Sequence, residues 1–458
     1  MIGRLAFRSL TAHPVRSAVL AAGFGVGVGV MAILLGVAEI VLRQAQSPAL
    51  IGGGDVLIQT GPQVPARLVL AGTLQSTALQ RRIRVASPYV ATDLYLVTPA
   101  GMTRVAARGG IPSLERALGD PETAATAAWT DTREDSVWTQ QTPGSVLSVI
   151  DRFHPIPEAP EWSHSWAEWL YFNGRSTDAR FYLTFLVGPR MTPTTRIAGV
   201  RLQLERDGVM QTFTASAVLP DAAVAEAPNL TIGSNTVRLD GLRYRIHLDL
   251  KDSRDRPIGG DLTLEASPGR LVPPLEMKGS RGWMTGYVVP VMSGALAGSL
   301  EVDGTTIAMN GTGYHDHNWG FWQGVTWQWG QVQQGELSVL YGRVFPPADA
   351  ADRDRFPGFV GVLGPDGPLA YATNVRITET DDAQKRPSRI AINARGPSLD
   401  VQLQFDVSSS VLTPMTQGAL SSGMDFLQMR GHYTVTGRAG ARTMRFTAPG
   451  TAETFRGR

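Results

Sequence analysis

Alternation of apolar and polar residues in short runs dominates the chain from about residue 162 onward, and it restricts the fold more than any other feature. In residues 242–250, leucine, tyrosine and isoleucine alternate with arginine, histidine and aspartate, and residues 401–407 repeat the pattern. A period of two residues is typical of half-buried β-strands. Asp-Gly pairs, which favour tight hairpin turns, separate such runs at positions 207–208, 240–241, 303–304 and 366–367. This part of the chain is therefore predicted to be antiparallel sheet.

The amount of predicted sheet exceeds what one small barrel needs. The chain has 458 residues, with 50 glycines and 30 prolines scattered through it, and almost no helical periodicity competes with the strand pattern. Strands spaced about 8–12 residues apart are typical of β-barrels and sandwiches. We therefore predict an all-β fold of two antiparallel barrels in series, over residues 161–304 and 305–458. The formal net charge of +2, without basic runs among aromatic residues, argues against nucleic-acid binding.

Residues 17–42 are predicted to be a membrane anchor. They are almost wholly apolar apart from Glu39, and they follow a basic lead, residues 1–16, that contains no acid. About 20 apolar residues suffice to cross a bilayer, and this stretch is too long for a cleaved signal peptide. The basic flank places the lead in the cytoplasm and the rest of the chain outside. The absence of cysteine fits a bacterial envelope protein, so a single-pass protein of the bacterial cytoplasmic membrane is expected, with its globular part extracytoplasmic.

Glycines recur at every second position inside this anchor. Gly23 with Gly27, and Gly25 with Gly29, form two Gly-x-x-x-Gly pairs, which let membrane helices pack closely. These pairs predict that the helix associates with another helix, such as that of a second copy. The alternative is that they have no such role, because glycine is common in membrane helices. Residues 3–58 also resemble the first transmembrane segment of MacB/FtsX-type ABC transporter permeases, through a Leu/Arg-rich lead, a His-Pro-x-Arg sequence and a glycine-rich helix. The resemblance implies an ABC transporter as a partner.

Residues 43–160, between the anchor and the first barrel, carry weaker signals. A helix is predicted to begin at Pro112 or Ser113 and to end at Gly119. The proline-rich residues 151–160 are predicted to form an extended connector. This region is therefore a membrane-proximal part and connector to which no function is assigned.

The densest group of polar and aromatic residues lies at residues 311–320, Gly-Thr-Gly-Tyr-His-Asp-His-Asn-Trp-Gly. On a strand, alternate side chains point to opposite faces. One face would then carry Tyr314, Asp316 and Asn318, and the other would carry His315, His317 and Trp319. The His-x-His pair is suited to zinc if His154, His164 or a carboxylate supplies a third ligand. Asp316 is suited to act as a general acid or to orient a histidine base. Buried hydrogen bonds that join the two domains are the structural alternative.

A second group of the same composition lies at residues 163–175, Ser-His-Ser-Trp-Ala-Glu-Trp-Leu-Tyr-Phe-Asn-Gly-Arg. On a strand, Glu168 shares a face with Leu170 and Phe172, so its carboxylate points among apolar neighbours. Such a group is either paired or functional. A structural pair with an arginine such as Arg343 is the alternative to a catalytic role.

Several of these motifs resemble one family. Residues 168–174, Glu-Trp-Leu-Tyr-Phe-Asn-Gly, are similar to the Glu-Trp-Trp-Tyr-x-x-Gly signature of the AttH-like and carotenoid 1,2-hydratase (hydroxyneurosporene synthase) family. Residues 286–294, 298–304 and 313–320 resemble the central block of that family, and the similarity extends over about residues 150–458. The resemblance implies two lipocalin-like barrels in tandem. It also implies that water is added to a terminal isoprenoid double bond without an organic cofactor.

Protonation of an unactivated alkene requires a protonated carboxylic acid in an apolar pocket and aromatic faces that stabilise the cation. Aromatic candidates are Trp319, Trp322, Trp327, Trp329 and Tyr341. By resemblance, His317, Trp319 and Tyr341 occupy positions that the hydratases need. The acid expected two residues after the tyrosine is replaced by Arg343, which cannot donate a proton to an alkene. Either Asp316 or Glu168 is then the acid, or the hydratase activity is absent.

Two functions follow as hypotheses. The first is a membrane-anchored protein that binds an isoprenoid, carotenoid or lipid, working beside an ABC transporter. The second is a cofactor-independent hydratase. The predicted catalytic residues are Asp316, His317, Trp319, Tyr341 and Glu168. The predicted ligand-binding residues are Tyr314, His315, Asn318, Trp322, Trp327, Trp329, Trp169 and Tyr171. No second cluster has metal-ligand spacing, and no metal or organic cofactor is predicted.

Overall fold

The computed structural model of the chain describes residues 54–58, 66–75, 82–98, 101–120, 128–135, 142–415 and 424–457, with residues 79 and 138 and scattered positions between 14 and 31. The predicted lead and anchor, residues 1–16 and 17–42, fall for the most part outside these residues. Across the described part of the chain, no helix has the length and apolar character needed to cross a membrane.

The chain divides into two compact units, and the smaller one contains residues 1–59 and 84–139. Its sheet is an antiparallel hairpin of β1 (Tyr89–Thr98) and β2 (Gly101–Gly110). The hairpin occupies a region in which the sequence pattern predicts no particular strand.

A short helix, Pro112–Leu118, follows this hairpin and confirms the prediction for this segment. Proline stands in its first turn, and Gly119 at φ 85° ends it in the left-handed conformation that glycine adopts without strain. Arg108 pairs with Glu115 of the helix and, at 2.7 Å, with Asp120. These ion pairs join the hairpin to both ends of the helix.

The larger unit, residues 60–83 and 140–458, contains both barrels. The strands of the first are β3 (Trp166–Arg175), β4 (Ala179–Thr192), β5 (Thr195–Arg206), β6 (Val209–Pro220), β7 (Leu230–Ile232), β8 (Asn235–Asp240), β9 (Arg243–Lys251), β10 (Pro257–Glu265), β11 (Val272–Lys278), β12 (Met284–Val302), β13 (Thr305–Ala308) and β14 (Gly311–Phe321). Antiparallel pairing runs in the order β10–β12–β14–β3–β4–β5–β6–β9, and β9 returns to β10. The ring is therefore closed, although only Thr214 and Lys251 join β6 to β9.

The second barrel is built from the rest of the chain. Its strands are β15 (Thr326–Gln334), β16 (Leu337–Phe345), β17 (Gly358–Gly364), β18 (Gly367–Ala372), β19 (Asn374–Asp381), β20 (Pro387–Arg395), β21 (Leu399–Met415), β22 (Met424–Ala439) and β23 (Arg442–Gly457). They pair in the order β18–β17–β16–β15–β23–β22–β21–β20–β19, and β19 comes next to β17, so the sheet is nearly closed. The predicted all-β fold of two lipocalin-like barrels in tandem is confirmed.

The division between the barrels lies later than the sequence pattern predicts. The Asp303-Gly304 turn leads only into the short β13, after which β14 returns to pair with β12 and with β3. The first barrel therefore extends to Phe321, and the predicted boundary near residue 305 falls inside it. A turn signal does not reveal which strand the next segment will join, because that pairing is made with residues far away in the chain.

The four Asp-Gly pairs all stand where the pattern predicts hairpins, at the β5–β6, β8–β9, β12–β13 and β17–β18 connections. At 207–208 the φ angles are 52° and 76°, and at 303–304 they are 49° and 71°. Two successive positive φ angles match the twist of paired strands, and Asp-Gly adopts them at low cost.

In the described part of this unit, three α-helices accompany the barrels: α1 (Ala66–Gln75), α2 (Pro143–Ile150) and α3 (Asp221–Val224). Thr142 and Ser145 form a reciprocal capping box at the start of α2. Gly144 then lies so close to the β8–β9 turn that an added Cβ would be 2.6 Å from the carbonyl oxygen of Gly241. The helix buries Val146, Leu147 and Ile150 in the core of the first barrel. It ends at Asp151, which is thereby delivered to the barrel interior.

Candidate functional site

Strand β14 separates two different polar sites, because its alternate side chains point to opposite sides of the barrel wall. Its central part pairs with β3, with His317 opposite Leu170 and Asp316 opposite Tyr171. His315, His317 and Trp319 face the interior of the first barrel, whereas Asp316 and Asn318 face a cavity outside it. The alternation is the one that the sequence predicts.

The inner site centres on Asp151, whose side chain has no solvent exposure. Its Oδ2 lies 2.9 Å from His315 Nε2 and accepts a hydrogen bond of 2.9 Å from the Tyr244 hydroxyl. Its Oδ1 lies 3.1 Å from His317 Nδ1. Three donors from β14 and β9 thus converge on the residue that ends α2, and they tie this helix to the barrel wall.

Glu168 forms the other half of the inner site. Its Oε1 lies 2.9 Å from His317 Nε2 and 2.7 Å from His154 Nδ1, and it also accepts a bond from the His154 backbone N–H at 2.9 Å. The alternative pairing with Arg343 is not observed, because Glu168 lies inside the first barrel, where it pairs with the fully buried His317 and the half-buried His154. Trp319 covers the group, with its ring stacked 4.2 Å from that of His154.

The charges of this inner site stabilise one another. Burial would raise the pKa of Asp151, but the charge and hydrogen bond of His315, followed by His317, outweigh it and lower the pKa to about 2. Burial would lower the pKa of His317, but its bonds to Asp151 and Glu168 raise the pKa to about 9. Burial likewise opposes ionisation of Glu168, and hydrogen bonds from His154 and His317 leave its pKa below the usual value. His317 is therefore a cation held between two carboxylates at neutral pH.

Among the described residues, one group has the composition of a metal site. His154, Glu168 and His317 each offer a ligand atom, and these atoms lie within 4.8 Å of one another. The group contains only one member of the His-x-His pair, because His315 turns instead to Asp151 and to the carbonyl oxygen of Tyr171 at 2.9 Å. Both ring nitrogens of His317 already face carboxylate acceptors, so the arrangement fits a hydrogen-bonded ion network better than a metal centre.

The outer site is a cavity of about 370 Å³ between the outer wall of the first barrel and the second barrel. This volume lies in the range of small-molecule sites. Aromatic side chains from the first barrel and from the segment that follows β14 line one side: Trp169, Tyr171, Tyr182, Tyr287 and Trp322. Aromatic side chains from the second barrel line the other: Trp327, Trp329, Phe359, Phe426 and Phe455.

Asp316 stands in this aromatic wall at the end of a chain of hydrogen bonds. Trp329 Nε1 donates to the Tyr287 hydroxyl at 2.9 Å, and the Tyr287 and Tyr314 hydroxyls lie 2.8 Å apart. The Tyr314 hydroxyl donates to Asp316 Oδ2 at 2.8 Å, and Asn318 Nδ2 donates to Oδ1 at 2.7 Å. The carboxyl group is therefore fixed in orientation from both sides.

A second acid, Glu453 of β23, lines the same cavity from the second barrel. Its Oε1 accepts a hydrogen bond of 2.7 Å from the hydroxyl of Tyr171, the residue that lies opposite Asp316 on β3. Burial, reinforced by the charge of Glu453, raises the pKa of Asp316 well above its usual value. Burial also raises the pKa of Glu453 to about 7. The cavity thus contains two acids whose pKa burial raises: that of Asp316 lies well above its usual value, and that of Glu453 is about 7.

The structure distributes the predicted catalytic residues over three places. Asp316 faces the cavity, whereas Glu168, His317 and Trp319 lie inside the first barrel. Tyr341 lies in the core of the second barrel, with its hydroxyl 3.4 Å from that of Tyr433. These five side chains therefore do not meet at one cavity, and of the two acids proposed from the sequence only Asp316 contacts it.

The predicted ligand-binding residues are better assembled. Six of them line the cavity: Trp169, Tyr171, Asn318, Trp322, Trp327 and Trp329. Tyr314 lies behind Asp316 as its hydrogen-bond donor, and His315 belongs to the inner site. Arg343 also reaches the cavity, where its Nη2 donates to the carbonyl oxygens of Arg353 and Asp354 at 3.2 Å each.

Four residues of the inner site and the cavity carry no clear signal in the sequence: Asp151, Tyr287, Gln428 and Glu453. Asp151 stands in the segment predicted to be a connector. The one sequence feature that indicates a buried position for it is that it directly follows the apolar residues of a short helix. Glu453 on β23 is paired directly with Gln428 on β22. The strand face that carries Glu453 is mixed, with Thr451 and Phe455 beside it, so the alternation pattern does not distinguish this acid.

Comparison with known proteins gives limited similarity. No protein-family profile matches the chain, and no curated protein matches it. Among solved structures, a Nitrosomonas europaea protein described as AttH is 13% identical, with 66% of this chain and 99% of that one covered at a TM-score of 0.43. CghA bound to Sch210972 is also 13% identical, with 69% of this chain and 94% of that one covered at a TM-score of 0.44.

Proposed function

We propose that this protein is an AttH-like double-barrel protein that binds an apolar small molecule, such as an isoprenoid, a carotenoid or a lipid, in the cavity between its barrels. The observation that carries the proposal is the cavity itself, which is about 370 Å³ in volume and walled by aromatic side chains of both barrels. Burial of apolar ligand surface against such walls is strongly favourable.

The arrangement of the histidine and tryptophan residues supports binding ahead of hydratase catalysis. His317, Trp319 and Tyr341, which the family resemblance assigns to catalysis, are buried in the barrel interiors and do not line the cavity. His317 is moreover engaged by two carboxylates. These residues stabilise the walls of the binding site.

Binding is tested with the neutral fluorescent probe N-phenyl-1-naphthylamine and the purified full chain. Saturable binding is expected, and Gly199→Trp should weaken it at least about tenfold by filling the cavity. Gly199 lines the cavity, and an added Cβ there meets only the carbonyl oxygen of Ala215 at 3.4 Å. The matched control is Val209→Trp, at a site that is 62% exposed. Equal binding by both variants would contradict the assignment of the ligand to this cavity.

Acid catalysis is the second candidate, and the buried carboxyl of Asp316 favours it. Its pKa is raised above the usual value by burial, with the charge of Glu453 adding to the effect. A neutral carboxylic acid in an aromatic cavity meets the chemical requirement for protonating an isoprenoid double bond, and the aromatic faces would stabilise the cation. Water addition of the carotenoid 1,2-hydratase type is the corresponding reaction.

We also propose that residues 17–42 hold the protein in the bacterial cytoplasmic membrane, where an ABC transporter or a second copy is its partner. The apolar length of that segment and its Gly-x-x-x-Gly pairs support the proposal. The full chain is expected to stay in the membrane pellet after washing with sodium carbonate, and a chain lacking residues 1–42 is expected in the supernatant. Release of the full chain by carbonate would count against an integral anchor.

A further inference from the structure

Gln428 lines the cavity with a buried amide, and both of its side-chain polar atoms lack a hydrogen-bond partner among the described residues. The side chain is buried, with 4% of its surface exposed, and it lines the aromatic cavity. Neither Nε2 nor Oε1 has a partner at normal hydrogen-bond geometry among the described residues, although the amide lies near enough to Glu453 to lower the pKa of that acid. A buried polar group without a well-formed hydrogen bond is unfavourable, so both ends of this amide can accept a partner at normal hydrogen-bond distance.

The position of Gln428 on β22 places it beside another polar group. It is directly opposite Glu453 on β23, and Glu453 is in turn opposite Trp329 on β15. The next pair on the same face is Phe426 with Phe455, which stacks on the aromatic wall. Gln428 and Glu453 thus form a polar rung of the second barrel that faces the cavity beside aromatic rings, and Gln328 and Arg343 line the cavity as well.

We propose that Gln428 and Glu453 form a subsite for the hydroxyl group of an apolar alcohol. The inference rests on the proposed function, since it names the head group of the molecule bound in the same cavity. The apolar part of the ligand lies against the aromatic rings, and its hydroxyl oxygen lies at the polar rung.

Hydrogen-bonding chemistry selects a hydroxyl group over charged head groups. The amide of Gln428 offers an N–H that needs an acceptor and a carbonyl oxygen that needs a donor. A carboxylate only accepts and an ammonium only donates, so each would leave one end of the amide unpaired. A hydroxyl group does both. A carboxylate would in addition face Glu453, which shares its burial and carries negative charge once it ionises.

The test compares two matched isoprenoids, farnesol and its hydrocarbon counterpart farnesene, as competitors of N-phenyl-1-naphthylamine on the full chain. Gln428→Leu is expected to weaken farnesol binding about tenfold, the effect of losing one to two hydrogen bonds in a buried site. Farnesene binding should be unchanged or stronger. The ratio of the two dissociation constants is the measured quantity, because it cancels any general effect of the substitution on the cavity.

Two further variants make the result independent of folding defects. Gln428→Met keeps the length of the side chain and should change the ratio as Gln428→Leu does. Gln402→Leu, at an exposed position on β21 away from the cavity, should leave it unchanged. Binding of both probes with no change of ratio in either Gln428 variant would overturn the subsite and leave the proposed function standing. If the wild type binds neither farnesol nor farnesene, both the subsite and the proposed function are overturned.

Discussion

Asp316→Asn is expected to abolish acid-catalysed addition of water to an acyclic isoprenoid alkene, while binding of the alkene stays within about threefold of the wild type. Burial raises the pKa of this carboxyl group well above its usual value. The raised pKa favours the protonated form, which can donate a proton, whereas the amide that replaces it cannot act as an acid. A positioned general acid contributes about 10²–10⁴-fold to a rate, so product formation should fall by at least that factor. Mass spectrometry of solvent extracts after incubation with lycopene detects a product heavier by one water.

The matched control for this experiment is Asp366→Asn, in an exposed Asp-Gly turn of the second barrel. It removes a carboxylate without touching the cavity and should leave turnover unchanged. Turnover by Asp316→Asn at the wild-type rate would exclude Asp316 as the proton donor. A wild type that binds lycopene unaltered would make the protein a carrier.

Infrared difference spectroscopy detects whether the carboxyl group of Asp316 is protonated, and it does not require substrate turnover. The C=O stretch of a protonated carboxyl group should persist from about pH 5 to neutral pH, where ordinary aspartates are ionised, and should disappear in Asp316→Asn. Glu453→Gln should remove a second component that titrates near pH 7, because burial raises the pKa of Glu453 to about that value. Absence of any protonated carboxyl signal at neutral pH would contradict the electrostatic description of the cavity.

The fold was largely predictable because its strongest determinants are local. Alternation in residues 242–250 and 401–407 gives the strands, and Asp-Gly pairs give the hairpins that join them. The boundary between the barrels was not predictable in the same way. It depends on the pairing of β14 with β3, for example of Thr312 with Arg175. Most of the sequence of the first barrel separates these two residues, and no local pattern encodes such a pairing.

The candidate site was predictable in part for the same reason. The two faces of β14 follow from a period of two residues, and this identified both Asp316 and the histidines. The partners of these residues come from elsewhere in the chain. Asp151 bonds to His315 over 164 positions, and Tyr171 bonds to Glu453 over 282 positions. Their convergence is a product of barrel closure and barrel docking, which sequence periodicity does not describe.

The inner and outer sites are coupled by the strand they share. His315 and His317 flank Asp316 on β14, and both are held in the inner network. Because the backbone on each side of Asp316 is thereby fixed, the two histidines set the position of Asp316. The inner network therefore has a structural role that also benefits the cavity. This explains how a motif rich in histidine, aspartate and tryptophan can be organised around a binding site without all of its members touching the ligand.

Asp151→Ala is expected to lower the free energy of unfolding by about 3–5 kcal/mol, as removal of one partner from a buried ion pair does. The substitution leaves His315 Nε2, His317 Nδ1 and the Tyr244 hydroxyl without their acceptor in the barrel interior. It also leaves His317 as a buried cation with one carboxylate instead of two. Urea denaturation monitored by circular dichroism measures the loss, and Asp151→Asn, which keeps the shape of the side chain, should show a smaller one.

The chain contains a matched control for this effect in the pair of His247 and Asp261. Its Nδ1–Oδ1 distance is 2.9 Å, the same as that between His315 Nε2 and Asp151 Oδ2, but its side chains are 50% and 81% exposed. An exposed ion pair contributes at most about 1 kcal/mol because water screens the charges, so Asp261→Ala should change stability by no more than that. Equal effects of Asp261→Ala and Asp151→Ala would mean that the inner network does not hold α2 and β14 together. A large difference between the two would assign the stability of the cavity wall to the buried network, in which Asp151 has three partners, whereas Asp261 has the one exposed histidine.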